Sequence, residues 1–173
     1  METTSASAET IGAEFIEASC TFLKQDFLPK LLHCLEGMSD DQIWWRPNEQ
    51  SNSVGNLVLH LSRSNRYYLE QVIGGRDIGR NRDGEFAARG GYSKDQLEAL
   101  WNETRGIAEG VLNGLEPSQM VHTTERTGKL TTYAQILLHV THHNAAHMGQ
   151  IVWITKMRRA GALDDIWMKM RSR

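Results

Sequence analysis

The sequence predicts an all-α fold, a four-helix bundle whose helices are joined by long loops. Apolar residues recur at three- and four-residue steps along four extended segments, which is the spacing of one helix face. The 173 residues include only three prolines, and no segment alternates persuasively between apolar and polar residues as a half-buried strand does. We therefore expect a single helical domain over residues 1–173, with a short flexible N-terminus over residues 1–9 and a C-terminal tail over residues 162–173.

The first helix is predicted over residues 10–36, with Gly37 ending it. Pro29 is expected to kink this helix, because proline removes one backbone hydrogen bond. The stretch from Ser39 to Gln42 has the form of a capping box and predicts a short helical turn, which Trp45-Arg46-Pro47 ends. The apolar residues expected to face inward are Phe15, Phe22, Leu23, Phe27, Leu31 and Leu35.

Three more helices are predicted from their start and stop signals. The second begins at Ser53 and stops at Gly74-Gly75, and the third opens with a capping box from Ser93 to Gln96. The fourth opens at Thr132, with Gln135 at its third helical position. The connecting loops span roughly 16, 18 and 16 residues, which is longer than the two to eight usual between bundle neighbours. Such loops indicate crossovers or functional segments.

The second loop, residues 74–91, carries many charges of both signs. We expect these charges to pair with one another in solvent, and an anion-binding lid is the alternative interpretation. Its charged residues include Arg76, Arg80, Arg82 and Arg89 together with Asp77, Asp83 and Glu85.

The overall composition narrows the choice of partners. Lys and Arg total 19 against 21 Asp and Glu, so the formal charge is -2 and a broad nucleic-acid surface is not expected. The apolar stretches are far shorter than the roughly 20 residues of a membrane span, and the N-terminus lacks the features of a signal peptide. We expect no nucleic-acid or membrane partner and a cytoplasmic location. Cys20 and Cys34 are placed about 20 Å apart on one helix and are predicted to be free, buried thiols.

Histidines are concentrated in the fourth helix and suggest a metal site. Residues four apart share a helix face, so His143 and His147 can both point an imidazole nitrogen at one ion, at the usual distance of about 2.0–2.1 Å. His60 on the second helix is the best candidate for the third ligand. Three neutral imidazoles plus water then give an open site. His139 is expected to pack behind the ligands or to compete with them, and His142 to point away.

Several other kinds of site are disfavoured by missing residues. The segment from His143 to His147 lacks the glutamate of the His-Glu-x-x-His metalloproteases, and no histidine follows a glutamate at the spacing that di-iron bundles use. The remaining alternative to a metal site is a pair of core histidines whose nitrogens bond to neighbouring hydroxyls or carbonyls. Burying two imidazoles on an apolar stripe requires partners for their nitrogens, and a shared cation satisfies both.

The sequence resembles the DinB/YfiT-like family of metal-dependent bundles. The resemblance spans nearly the whole chain and is carried by Trp45-Arg46-Pro47, by the segment from Ser53 to Leu61, and by the His-x-x-x-His-x-Gly-Gln pattern of residues 143–150. It implies that His60, His143 and His147 are the metal ligands, that the metal is zinc or nickel, and that the protein is a homodimer. The position after His147, often arginine in the family, is Met148 here.

The resemblance also implies a class of reaction. Some members of the family are similar to S-transferases that use low-molecular-weight thiols such as bacillithiol or mycothiol. A divalent cation lowers the pKa of a bound thiol, and the same ion can activate water, so a transferase or a hydrolase acting on a small molecule is predicted. The alternatives are a non-catalytic metal-binding stress-response bundle and a helical interaction protein that uses the apolar tail around Trp167.

Overall fold

The computed structural model describes residues 7–159 and Gly161, and most of these residues are helical. The all-α prediction is therefore confirmed for this part of the chain. In chain order the elements are α1 (Ala8–Thr21), a π-helical stretch (Phe22–Phe27), α2 (Leu28–Leu35), α3 (Asp40–Trp44), α4 (Val54–Arg66), a second π-helical stretch (Tyr67–Ile73), α5 (Arg82–Ala87), α6 (Lys94–Asn113), a 3₁₀ helix (Pro117–Val121), β1 (Thr123–Thr124), β2 (Thr131–Thr132) and α7 (Tyr133–Arg158).

The first predicted helix consists of α1, a π-helical stretch and α2 in succession. Pro29 lies in the first turn of α2, where its missing N–H group has the least effect on the helical ladder. The widened π turns occupy the residues just before it, Phe22–Phe27. The helix ends at Leu35, and Gly37 follows with a φ of +69°, a left-handed conformation that glycine adopts without strain.

Capping residues mark the starts of the helices as the sequence predicted. Ser39, Ser93 and Thr132 each accept a hydrogen bond from the backbone N–H group three residues later, and a glutamine there bonds back to the cap. At Ser53 the capping box is completed by Asn56, whose side chain accepts a hydrogen bond from the backbone N–H group of Ser53. Helix starts are local features, which explains why the sequence alone located them within a residue or two.

The long loops contain short elements that the sequence analysis did not predict. The loop after the second π-helical stretch includes α5, and the loop before α7 includes the 3₁₀ helix and a small hairpin. In this hairpin Thr123 pairs with Thr132 and Thr124 with Thr131, in antiparallel register. Strands of two residues are too short to leave an alternating pattern in the sequence, which is why this hairpin was not predicted.

The core lies between the long helices. α4 packs against both α6 and α7, and α2 packs against α7. The side chains that are buried almost completely come from all of these helices: Leu31, Leu35, Leu57, Leu61, Leu97, Leu112, Ile136, Leu137 and Ile151. Of the described helices, none is both long and apolar enough to cross a membrane. The predicted tail with Trp167 lies outside the described residues.

Both cysteines are free thiols in different environments. Cys34 is buried completely, whereas Cys20 is only half-buried. Burial raises the pKa of the Cys34 thiol to about 11, although a hydrogen bond with Thr155 opposes this shift. The pKa of the Cys20 thiol is also raised, first by burial and then by the charge of Glu109.

We expect the two thiols to react at different rates with Ellman's reagent. In the native protein at pH 8, Cys20 should react first and Cys34 only when the protein unfolds, because Cys34 is both inaccessible and protonated. Absorbance at fixed times should show one equivalent of fast thiol in the wild type and in Cys34→Ser, and none in Cys20→Ser. Two fast equivalents in the native wild type would contradict the described packing around Cys34.

Candidate metal centre

His60 lies in the second turn of α4, facing the inside of the molecule. The capping box at Ser53 fixes where α4 begins, and the side chain of His60 is only 4% exposed. Its Nδ1 atom is 2.9 Å from Oε2 of Glu85, on α5. The ring of Phe86 packs on the imidazole at a centroid distance of 4.6 Å. His60 is therefore held in one orientation by a hydrogen bond on one side and a ring contact on its face.

His143 and His147 lie one turn apart on α7 and meet His60. The Nε2 atom of His143 is 3.0 Å from Nε2 of His60 and 3.1 Å from Nε2 of His147. Each of the three residues offers a ring nitrogen, and these nitrogens all lie within 4.8 Å of one another. The structure thus brings together the three histidines that the sequence analysis selected, from two separate helices.

Two buried asparagines fix the position of α4 relative to α7. Asn65 Nδ2 donates to Asn144 Oδ1 at 3.1 Å, and Asn144 Nδ2 donates in return to Asn65 Oδ1 at 2.7 Å. Asn144 also donates to the carbonyl of Val140 within α7. Because Asn144 follows His143 directly, this reciprocal pair of hydrogen bonds sets the position along the helix axes at which His143 contacts His60. Sequence reasoning missed both residues, although a polar side chain on a core stripe was a visible signal.

Hydrogen bonds to the Nδ1 atoms of His60 and His147 determine that the Nε2 atoms of these rings face the cluster. Since a carboxylate and an amide oxygen only accept, His60 Nδ1 donates to Glu85, and His147 Nδ1 donates to Gln150 Oε1 at 2.6 Å. The Nε2 atoms of these two rings are then unprotonated and point at the cluster. The Gln150 contact also explains the glutamine of the His-x-Gly-Gln pattern, which holds the ring of His147 in place.

The cluster fits a divalent cation. Two histidine nitrogens bound at about 2.0–2.1 Å to one ion stand roughly 3 Å apart, which matches the observed separations of 3.0 and 3.1 Å. Burial, together with repulsion from His147 and His60, lowers the pKa of His143 to about 3. His143 is therefore neutral at pH 7, the form in which imidazole binds metals. The group could hold a metal ion.

A buried ion pair behind His60 was not predicted from the sequence. Glu85 is only 5% exposed, and Arg80 donates to it twice, from Nε to Oε1 at 2.8 Å and from Nη2 to Oε2 at 2.9 Å. Burial alone raises the pKa of the Glu85 carboxyl, but the hydrogen bonds and charges of Arg80 and His60 outweigh it, so the pKa is lowered. The expectation that the charges of this loop pair in solvent is therefore wrong for this pair.

The family-like motifs hold the loop that carries Glu85. Asn56 Nδ2 donates to the carbonyls of Glu85 and Ala88, each at 2.9 Å. Arg46 Nη2 donates to Asn56 Oδ1 at 3.0 Å and to the carbonyl of Ala88 at 3.2 Å. The Trp-Arg-Pro motif and the start of α4 thus act together to place α5 next to His60. These contacts place Glu85 where it orients the ring of His60.

The other two histidines of α7, His139 and His142, lie beside the cluster rather than in it. His139 stacks on His143, with ring centroids 5.3 Å apart and planes tilted by 17°, and it also contacts the rings of Tyr68 at 4.5 Å and His142 at 4.9 Å. Burial lowers the pKa of His139, as do the charges of His142 and Lys129. His142 is exposed. Met148, at the position where the family often has arginine, is buried in the core and 3% exposed.

A sequence model described as "Mycothiol-S-transferase" matches residues 21–154 of the chain. The chain belongs to this DinB/YfiT-like family. The matched range of the mycothiol-S-transferase family contains all three clustered histidines as well as Glu85 and Gln150. A search among curated proteins finds no match.

A solved structure confirms the fold independently of the family match. The structure described as "Crystal structure of the conserved protein of locus from Enterococcus faecalis" superimposes with a TM-score of 0.61. The match covers 88% of this chain and 97% of that chain, with 13% sequence identity. At this identity the likeness concerns the fold alone.

Gly55 offers a test of the motif contacts. A Cβ atom on Gly55 would stand 2.9 Å from the ring of Trp44, whose indole N–H donates to the carbonyl of Tyr92 and is therefore not free to move away. We expect Gly55→Ala to lower the free energy of unfolding by about 1–3 kcal/mol through overpacking. Chemical denaturation monitored by circular dichroism measures this change.

Gly106→Ala is the matched control for this prediction. Gly106 lies within α6, and a Cβ atom there would meet nothing within 4 Å. Alanine should therefore raise the free energy of unfolding by about 0.5–1 kcal/mol, because it restricts the unfolded chain and favours the helix. Equal effects of the two substitutions would show that Trp44 does not constrain Gly55.

Proposed function

We propose that this protein is a metal-dependent S-transferase that joins a low-molecular-weight thiol to an electrophilic small molecule. The observation that carries the proposal is the convergence of three imidazole nitrogens in a chain that belongs to the mycothiol-S-transferase family. We infer that His60, His143 and His147 are the ligands of the ion. No residue of the described chain joins them as a fourth member of the group, which leaves a coordination position for a substrate.

The reaction follows from charge and position. A divalent ion in this site supplies the positive charge that lowers the pKa of a thiol, so that thiolate is available at neutral pH. The sulfur then forms a bond to an electrophilic carbon, whose leaving group departs with its electron pair, and the thiol proton goes to solvent. His60 and His147 remain oriented by Glu85 and Gln150 throughout, and Phe86 shields the ring of His60 from water.

Four assignments made from the sequence or from its family resemblance remain predictions. They are zinc or nickel as the metal, a homodimer, a four-helix-bundle arrangement of the four long helical segments, and a cytoplasmic location. The neutral imidazole ligands support a late first-row metal, for which nitrogen ligands have high affinity.

Metal content tests the proposed ligand set. We expect untagged wild-type protein to retain about one equivalent of metal after dialysis, because three histidines bind one ion, and His60→Ala, His143→Ala and His147→Ala each to lose most of it. His142→Ala is the matched control, since His142 lies on α7 but is exposed. Elemental analysis by mass spectrometry gives the metal content. Full retention of metal by His143→Ala would contradict the proposed site.

Turnover tests the reaction itself. The metal-loaded wild type should transfer mycothiol, bacillithiol or glutathione to monobromobimane, as measured by fluorescence, and His143→Ala should be inactive. Absence of transfer with all three thiols would contradict the S-transferase proposal while leaving the metal site intact. Hydrolysis of a chromogenic ester by the wild type alone would identify a hydrolase instead.

Glu85 should strengthen metal binding by orienting His60. We expect Glu85→Gln to raise the metal dissociation constant about 10- to 100-fold, because the amide keeps the shape but removes the charge that fixes the histidine tautomer. Competition with a chromophoric chelator measures the constant. Glu14→Gln, which changes the same charge on the exposed face of α1, should have no effect. An unchanged constant in Glu85→Gln would show that Glu85 only supports the fold.

A further inference from the structure

A cleft lies directly beside the histidine cluster. Its volume is about 420 Å³. We call it the Lys129 cleft, and the side chains that matter to its chemistry are Tyr68, Lys129, Leu130, Leu138, His139 and His142. It is large enough for a small molecule, and it is formed by α7, the hairpin loop and the second π-helical stretch.

One imidazole ring separates the Lys129 cleft from the proposed metal ligands. His139 lines the cleft, and its ring stacks on His143 with the centroids 5.3 Å apart. Tyr68 lines the cleft from the other side and contacts His139 at 4.5 Å. A molecule bound here lies against His139, one imidazole ring away from His143.

The charge of the cleft is positive. Lys129 contributes an ammonium group, and none of the described residues that line the cleft is acidic. Within the described part of the chain, Lys129 forms no ion pair. The neighbouring histidine cluster adds no negative charge, and the one carboxylate behind it, Glu85, is already paired with Arg80. An anionic group in the cleft therefore meets a cation that is not neutralised by another residue.

The cleft also has an apolar side. Leu130 and Leu138 line it and are 66% and 57% exposed, so their apolar surfaces are accessible to a ligand in the cleft. Ile136 lies at its base and is almost completely buried. A ligand with a hydrocarbon body covers these leucines, and a single ammonium group matches a single negative charge.

We propose that the Lys129 cleft binds the electrophilic substrate of the transfer reaction and that this substrate is a small organic acid with an apolar body. Its carboxylate pairs with Lys129, its hydrocarbon part lies against Leu130 and Leu138, and its reactive carbon faces the histidine cluster past His139. This assignment rests on the S-transferase function proposed above. Lys129 is then a specificity-determining residue.

The test uses 3-phenylpropionate as the probe and its neutral amide, 3-phenylpropanamide, as the matched control ligand. Both are titrated into the full-length protein, first without metal and then loaded with zinc, while methyl and amide resonances are followed by nuclear magnetic resonance. We expect the acid to bind more tightly than the amide and to shift the resonances of Leu130, Leu138 and Lys129. Lys129→Gln should raise the dissociation constant of the acid about two- to fivefold and leave that of the amide unchanged.

Lys156→Gln is the control variant, since it removes the same charge from an exposed position near the far end of α7. It should leave both dissociation constants unchanged. Equal affinity for acid and amide, shifts elsewhere on the protein, or equal effects of the two lysine substitutions would each overturn the cleft assignment. Binding of the acid is read in the metal-free chain as well, so a failure of metal binding or of thiol transfer is distinguishable from a failure of the cleft.

Discussion

The hydrogen bond between His60 and Glu85 is the interaction on which the rest of the candidate centre depends. It determines which nitrogen of His60 carries the proton and so which nitrogen faces His143 and His147. A carboxylate buried to this degree is costly unless it is paired, and Arg80 provides the pairing with two hydrogen bonds. The loop that carries both residues must in turn be held close to α4, which Asn56 and Arg46 do through backbone carbonyls. Residues far apart in the sequence thus act together to fix the orientation of the His60 ring.

The helical frame contributes the second constraint, the relative position of α4 and α7. Hydrophobic packing between helices has little directionality, so on its own it allows the helices to slide by a fraction of a turn. The reciprocal hydrogen bonds of Asn65 and Asn144 remove this freedom, because a shift leaves two buried amides without partners. Because His143 is next to Asn144 in α7, the same hydrogen bonds also fix the position of His143 relative to α4. Polar groups in this core specify geometry, while the leucines and isoleucines around them supply the bulk of the burial.

Charge connects the histidine cluster with the surface around it. The three imidazoles carry no negative charge, and the carboxylate behind His60 is balanced by Arg80. The adjoining cleft adds Lys129 and no acidic lining residue in the part of the chain that is described. Membership of the mycothiol-S-transferase family and the geometry of the three rings are independent observations. Both are consistent with a site that binds two small molecules side by side, a thiol and an acidic electrophile.

The sequence by itself determined the helical class, the capped starts of the helices and the choice of three histidines. These features depend on spacing along the chain: apolar residues every three or four positions, a cap three residues before its partner, and two histidines one turn apart. Only the tertiary structure revealed the Arg80–Glu85 pair, the link between Asn65 and Asn144, and the stacking of His139 on His143. The sequence analysis assigned the charges of Arg80 and Glu85 to solvent because a loop's composition does not tell which of its side chains turns inward. That direction is decided by contacts between residues distant in sequence, whose burial and hydrogen bonds exist only once the helices have packed.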